Sequence, residues 1–136
     1  MIQRVQTIWM IFAAVFVFLT LKFSFYSGTL IADNSYHALI ASDNFLLLIL
    51  TSALGTGILI DMFLYKTRST QIRIIFVAII LECLIIFLYV RETSKYSTGN
   101  FSLWSALHLL VLIFLVLAAK GIYKDSKLIK ESNRLR

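Results

Sequence analysis

Four apolar blocks divide the chain, and each is long enough to form a membrane-spanning helix. They cover about 5–25, 45–65, 74–90 and 101–119. A helix that crosses the hydrocarbon layer needs about 20 mostly apolar residues, because each residue adds only ~1.5 Å of length. No block alternates apolar with polar residues, as the strands of a membrane barrel must. The pattern therefore predicts an all-α fold, with residues 1–136 forming one integral membrane domain built as a bundle of four transmembrane helices.

The composition agrees with a membrane protein. Hydrophobic residues make up 60% of the 136 positions and charged residues only 15%. A soluble domain carries about 45–50% apolar and about 25% charged residues. The single cysteine, Cys83, excludes a disulfide within the chain and a site made of several thiolates.

Lysine and arginine are distributed unevenly between the two sides of this bundle. If the four spans alternate, ten of the 13 basic residues fall on the side that carries both termini. The other side has only Lys22, Arg91 and Lys95. Basic residues concentrate in the cytoplasmic loops of membrane proteins. We therefore expect a multi-pass protein with both termini in the cytoplasm.

The tail, residues 120–136, is predicted to continue the fourth span as a basic helical extension in the cytoplasm. Its basic residues are Lys120, Lys124, Lys127, Lys130, Arg134 and Arg136. Anionic lipid headgroups attract each such residue by about 1 kcal/mol near the membrane surface. The net charge of +6 therefore needs no nucleic acid to explain it, and we expect none as a partner. Two interpretations of the tail stay open: a solvated, lipid-facing end and a docking surface for a partner subunit.

The longest connection, residues 26–44, lies on the side opposite the termini and mixes polar with apolar residues. Its apolar content favours packing over free disorder. We expect either a short helix lying on the outer surface or a strap across the mouth of the bundle. Aromatic residues near the span ends, Tyr89 among them, are predicted to be interfacial anchors.

Glu82 lies near the middle of the third span, where a carboxylate is costly and needs a partner. Counted from the outer ends of their spans, Glu82 and His108 both lie about 11–12 Å deep, since a helix rises ~1.5 Å per residue. The short connection 91–100 makes these spans antiparallel neighbours, so the two side chains can meet. The same depth in the second span falls on Thr51 and Ser52, and Ser105 lies one turn above His108. These residues form a predicted polar layer.

Three interpretations of this polar layer stay open. They are a hydrogen-bonded clasp that fixes helix register, a contact with a partner subunit, and a proton or ion relay. A haem would need a second histidine at similar depth, and the other histidine, His37, falls in the outer loop. A zinc site lacks ligands for the same reason. We expect no cofactor, no metal and no catalytic residue.

Asp61 lies about one turn from the inner end of the second span, at a level that Arg4 and Arg73 can reach. We predict a salt bridge at this boundary that locks the helix ends. The alternative is a site for a cation or a lipid headgroup at the inner surface.

Small residues mark the centre of the second span. They are Ser52, Ala53, Gly55, Thr56 and Gly57. Small residues four positions apart let helix backbones approach closely. We expect this stretch to pack against a helix of the same chain or of another subunit.

Both ends of the chain carry motifs of a known family. Residues 1–7 are Met-Ile-Gln-Arg-Val-Gln-Thr, and the charged run that starts at Asp125 ends in Arg-Leu-Arg at 134–136. The chain resembles a bacterial family of small four-helix integral membrane proteins classed as a domain of unknown function. The resemblance implies four helices in the bacterial cytoplasmic (inner) membrane and no known activity. It also implies that the two ends share the cytoplasmic side, where we expect Gln3, Arg4, Gln6 and Thr7 to pack near the tail as one patch that binds a partner or lipid.

The function that these features favour is a non-catalytic accessory or scaffolding subunit of a larger inner-membrane complex, of the respiratory or protein-export type. Its expected partners are other membrane-protein subunits and a bilayer with anionic headgroups. The alternative is a small homo-oligomeric transporter or channel that uses the layer of Glu82 and His108. An enzyme is not expected, because no catalytic constellation is recognisable.

Overall fold

The computed structural model describes residues 3–134, and it describes the side chains of residues 5–132. Within that range it has four α-helices, α1 (Gln3–Thr20), α2 (Phe45–Phe63), α3 (Arg68–Thr93) and α4 (Ala106–Arg134). It also has three strands, β1 (Tyr26–Leu30), β2 (Tyr36–Leu39) and β3 (Tyr96–Phe101). Short 3-10 turns at Ala41–Asp43 and Leu103–Ser105 lead into α2 and α4.

The four helices form a closed ring in which α1 packs against α2 and α4, and α3 packs against the same two helices. Each helix buries a narrow stripe. The stripe of α3 is Gln71, Ile75, Ala78, Glu82, Ile85 and Tyr89. Its spacing of three or four residues is that of one helix face.

The outward faces of the helices are also apolar, with large exposed side chains such as Phe76, Ile80 and Phe87 on α3. A water-soluble bundle would carry charged residues there. Three helices of the described chain are long and apolar enough to cross a membrane: α2, α3 and the helical run 103–132. The apolar helix Val5–Thr20 is shorter.

The first helix ends five residues before the predicted span does. It stops at Thr20, whose hydroxyl donates to the Val17 carbonyl at 2.7 Å. By Phe25 the backbone has joined the sheet, since its N–H donates to the Leu39 carbonyl at 2.9 Å. The first apolar block therefore contains α1 and the residues that lead into β1, and hydrophobicity alone could not locate the boundary between them.

The predicted four-helix fold is confirmed in part: the described chain is mostly helical with four helices, but it is not purely α-helical, because the connections at one end of the bundle form an antiparallel sheet in the order β2-β1-β3. The connection 26–44 is neither a surface helix nor a plain strap; most of it is a hairpin. Gly28 lies opposite Gly99 where β1 pairs with β3. A Cβ atom at Gly28 would collide with the Thr98 carbonyl, so the close approach of the two strands requires glycine at this position.

The sheet lies at one end of the bundle, and the start of α1 and the last turns of α4 lie at the other. We call the end with β1–β3 the sheet end. The other, the terminal end, contains the start of α1, the α2–α3 connection and the last turns of α4. Two polar clusters lie along the bundle, one towards each end.

Candidate functional site

The structure brings Glu82 and His108 together, as the depth count predicts. Glu82 Oε1 lies 2.7 Å from His108 Nδ1, across the contact between α3 and α4. Glu82 is 1% exposed and His108 is 3% exposed. Both residues lie on the buried stripes of consecutive helices joined by a short connection, so equal depth was enough to place them in contact.

A carboxyl group and an imidazole that share one proton carry no net charge, whichever of the two holds it. A neutral, hydrogen-bonded pair is far cheaper to bury than a lone charge. The arrangement is suited to holding a proton and to fixing the register of α3 against α4.

Two aromatic rings cover this pair on the side that faces the sheet. The Phe25 ring stacks on the Tyr89 ring at 4.5 Å, and it meets the His108 ring edge-on at 5.5 Å. The Tyr89 and His108 ring centres are 5.1 Å apart. The interfacial role predicted for Tyr89 is therefore wrong, since its side chain is fully buried. Its position seven residues after Glu82, on the same helix face, was the available signal.

The other predicted members of the polar layer do not bond to the pair. Thr51 is buried on α2, and its hydroxyl has no hydrogen-bond partner among the described residues. Ser52 is half-buried. Ser105, in the turn before α4, shares with His108 the wall of a small cleft of about 190 Å³. The layer is thus a single bonded pair with polar residues near it.

A second buried polar contact joins the two ends of the chain. Gln6 Nε2 on α1 donates to Asp125 Oδ2 on α4 at 2.6 Å, and both residues are buried. Gly121 allows this contact, because a Cβ there would lie 3.0 Å from the Gln6 Cγ. The sequence did not identify Asp125 as the partner, although it falls on the buried stripe that starts at His108.

The remaining residues of the predicted recognition patch are divided between two surfaces. Thr7 lies on the wall of a cleft between α1 and the α2–α3 connection. The tail lysines are exposed: Lys120, Lys124, Lys127 and Lys130. The side chains of Gln3, Arg4 and Arg134, and all of Arg136, lie outside the described part of the chain.

The structure does not join Asp61 to Arg73. Asp61 is 1% exposed, and neither of its carboxylate oxygens has a hydrogen-bond partner among the described residues. Arg73 is exposed. The buried stripe of α3 passes through Gln71, and a residue two positions further is turned by about 200° around a helix of 3.6 residues per turn. Arg73 therefore faces away from α2, while the side chain of Arg4 lies outside the described part.

The small residues of α2 face different neighbours. Gly55 is buried against the Phe18 ring of α1, where an added Cβ would lie 2.9 Å from the ring. Nothing lies within 4 Å of a Cβ built at Gly57, and Ala53 and Thr56 are exposed. Of these four residues, Gly55 is the one at which α2 packs closely against another helix of the same chain. Ser52 accepts, through its carbonyl, a hydrogen bond from the Thr56 hydroxyl at 2.9 Å.

Among residues 3–134, no group of three His, Cys, Asp or Glu side chains is arranged to hold a metal ion.

A family model described as "Domain of unknown function (DUF4293)" matches residues 2–135, almost the whole chain. Comparison with curated proteins gave no match, and neither did comparison with solved structures.

Proposed function

This chain belongs to the DUF4293 family, a domain of unknown function, and we propose that it is a non-catalytic accessory subunit of a larger complex in the bacterial inner membrane. The respiratory and protein-export assemblies are the types of complex that we favour. The observation that supports this role is a basic helical arm, residues 124–132 of α4, held to the bundle by a buried hydrogen bond.

The helix that carries the arm, α4, is longer than a membrane span requires. With 29 residues, α4 is about 43 Å long. The hydrocarbon core is only about 30 Å thick. If α4 begins at the sheet-end boundary, its last turns extend well beyond the other boundary. A helix end without support frays in water, whereas this one is held by Gln6 at Asp125.

The arm carries the mixed surface that protein interfaces use. Lys124, Lys127 and Lys130 are exposed. Leu128 and Ile129 are also exposed, at 45% and 46%. Apolar side chains among mainly basic ones, with Glu131 as the one exposed acidic residue of the arm, fit a partner that offers a largely acidic rim around an apolar centre. A rigid arm binds such a partner at a lower cost in conformational entropy than a flexible tail.

The proposed topology has four spans and both termini in the cytoplasm. The helix Val5–Thr20 is shorter than the other spans. Residues 21–25 add further length at the boundary. The uneven distribution of lysine and arginine supports a cytoplasmic position for the arm. The closed Glu82–His108 pair is, in this proposal, a clasp that fixes helix register.

Purification of the tagged chain, at native expression level in a mild detergent, tests this function. We expect it to elute at high mass together with defined membrane subunits in constant ratio. Lys127→Glu on the arm should remove them, whereas Lys22→Glu, an exposed lysine at the sheet end, should not. Elution as a small oligomer of this chain alone would contradict the proposal, as would equal effects of the two substitutions.

A small transporter or channel remains the second candidate because of the cleft of about 190 Å³ beside His108. Phe25 and Leu109 contribute to its walls. A proton relay through Glu82 would need this cleft to admit water. Proton flux into vesicles that contain the purified chain tests the candidate, with Glu82→Gln and His108→Ala as the variants that should abolish the flux.

A further inference from the structure

A cleft of about 500 Å³ opens at the terminal end, between α1 and the α2–α3 connection. Its walls differ in character. One wall is polar and includes Gln6, Arg68 and Gln71, whereas Ile8 and Phe63 contribute apolar surface. We propose that this cleft binds the headgroup and the upper acyl chain of one phospholipid from the adjacent leaflet.

The apolar wall faces the bilayer. Ile8 is 47% exposed and Phe63 is 73% exposed, both on the outer surface of the bundle. Because the surrounding helix surface is apolar, an acyl chain leaving the cleft along these residues stays in hydrocarbon. Tyr65, also on the wall, is of the type that anchors at the level of the headgroups. The cleft therefore lies where a lipid has both its polar and its apolar part.

The polar wall offers an unused donor. Arg68 Nη1 is buried, and it has no hydrogen-bond partner among the described residues. A guanidinium group binds the oxygens of a phosphate in a bidentate manner and keeps its charge at every physiological pH. Arg68 also opens α3, and Thr67 before it makes no side-chain cap. The amides of this helix start add to the attraction for an anion.

Further positive charge lies on the opposite side of Arg68. A neighbouring cleft of about 570 Å³ is lined by Arg68 together with Lys66 and Lys130. Asp61 lines neither cleft, and its buried carboxyl oxygens have no hydrogen-bond partner among the described residues. Its carbonyl accepts from Gln71 Nε2, a residue of the polar wall, at 3.3 Å. Among the groups of the polar wall, Arg68 is the one that would bind the phosphate of the headgroup.

Native mass spectrometry of the detergent-purified chain, titrated with phosphatidylethanolamine, tests the site. We expect a complex with one bound lipid, whose affinity falls about tenfold in Arg68→Gln, because one charge-assisted contact is lost. Arg73→Gln is the matched control, since Arg73 is an exposed arginine on the same helix. Its affinity should stay unchanged. A second variant, Ile8→Trp, should block the acyl wall and lower the affinity without altering any charge.

The outcomes separate the sources of the phosphate. If inorganic phosphate displaces the lipid at equal concentration, the site binds a free anion and the proposal is wrong. Equal losses in Arg68→Gln and Arg73→Gln would also overturn it, because attraction by net charge would then suffice. Thermal melting of each variant, without lipid, identifies any loss that results from misfolding. The proposal requires only that the bundle lies in a bilayer, so failure to find a partner complex leaves it intact.

Discussion

The buried pair of Glu82 and His108 allows a quantitative test of the clasp interpretation. The perturbations are Glu82→Leu, His108→Leu and the double variant, which replace polar side chains with apolar ones of similar size. Each single variant leaves one buried polar group without its partner, because the pair is joined at 2.7 Å and almost fully shielded. An orphaned buried group costs about 1–3 kcal/mol.

The double variant removes both polar groups together. It leaves no orphan, and replacement of a buried ion pair by apolar residues is often neutral or stabilising. If the contact itself contributes about 0.6 kcal/mol, as interhelical hydrogen bonds in membranes do on average, most of the damage in the single variants comes from the orphaned partner. We therefore expect the double variant to be more stable than either single variant. The coupling free energy should be about 1–3 kcal/mol.

The assay is unfolding of the purified chain in mixed micelles, with helix content as the signal and the free energy of unfolding compared among the four proteins. Glu82→Gln serves as the conservative reference, because its amide can still hydrogen-bond to His108. Additive losses in the double variant would refute the reasoning, since the two side chains would then act independently.

Three further predictions concern packing, the terminal end and the sheet end. Gly55→Leu should lower the free energy of unfolding by about 1–3 kcal/mol through a clash with α1, whereas Gly57→Ala should be neutral or stabilising in the same assay because its surroundings are open. Asp125→Ala should lower the free energy of unfolding by about 1–3 kcal/mol, because the buried Gln6 amide loses its hydrogen-bond partner. Asp125→Asn should lower it much less. Burial and two nearby carboxylates raise the pKa of Tyr96 above its usual value of 10.0, so the stability that it contributes should be complete below pH 10 and disappear as the pH rises through its folded pKa. Ultraviolet titration of the chain against Tyr96→Phe measures that shift.

The Glu82–His108 pair was predictable from the sequence because a helix rises by a constant length per residue, so residue number gives depth. Two helices joined by a short connection then meet at equal depth. The sheet was not predictable in this way, since β1 pairs with β3 about 70 residues away. That pairing joins two connections that are distant in the sequence and that the helix packing brings to the same end of the bundle. The strands are short, and no hydrophobic alternation marks them in the sequence.

The expected contact between Arg73 and Asp61 is absent because of helix rotation, whereas the side chain of Arg4 lies outside the described part of the chain. The depth count put Arg73 at the level of Asp61. Gln71 and Ile75 form the buried face of α3, however, so Arg73 lies on the outward face. The same stripe rule, applied to α4, would have found a missed residue. Steps of three or four from His108 reach Val111, Leu115, Ala118, Ile122 and Asp125, all of which are buried. Hydrophobic patterning alone did not reveal that this stripe ends in a polar residue with a partner.

The position of Asp125 on that stripe has a consequence for the arm. The stripe of α4 begins with His108 bonded to α3 and ends with Asp125 bonded to α1. The two bonds are 17 residues apart, about 26 Å along the helix. Two fixed points on one face set the rotation of α4 as well as its depth. The direction in which Lys127 and Leu128 point is therefore determined by the bundle, and a partner of the arm would bind to a surface whose geometry the membrane spans define.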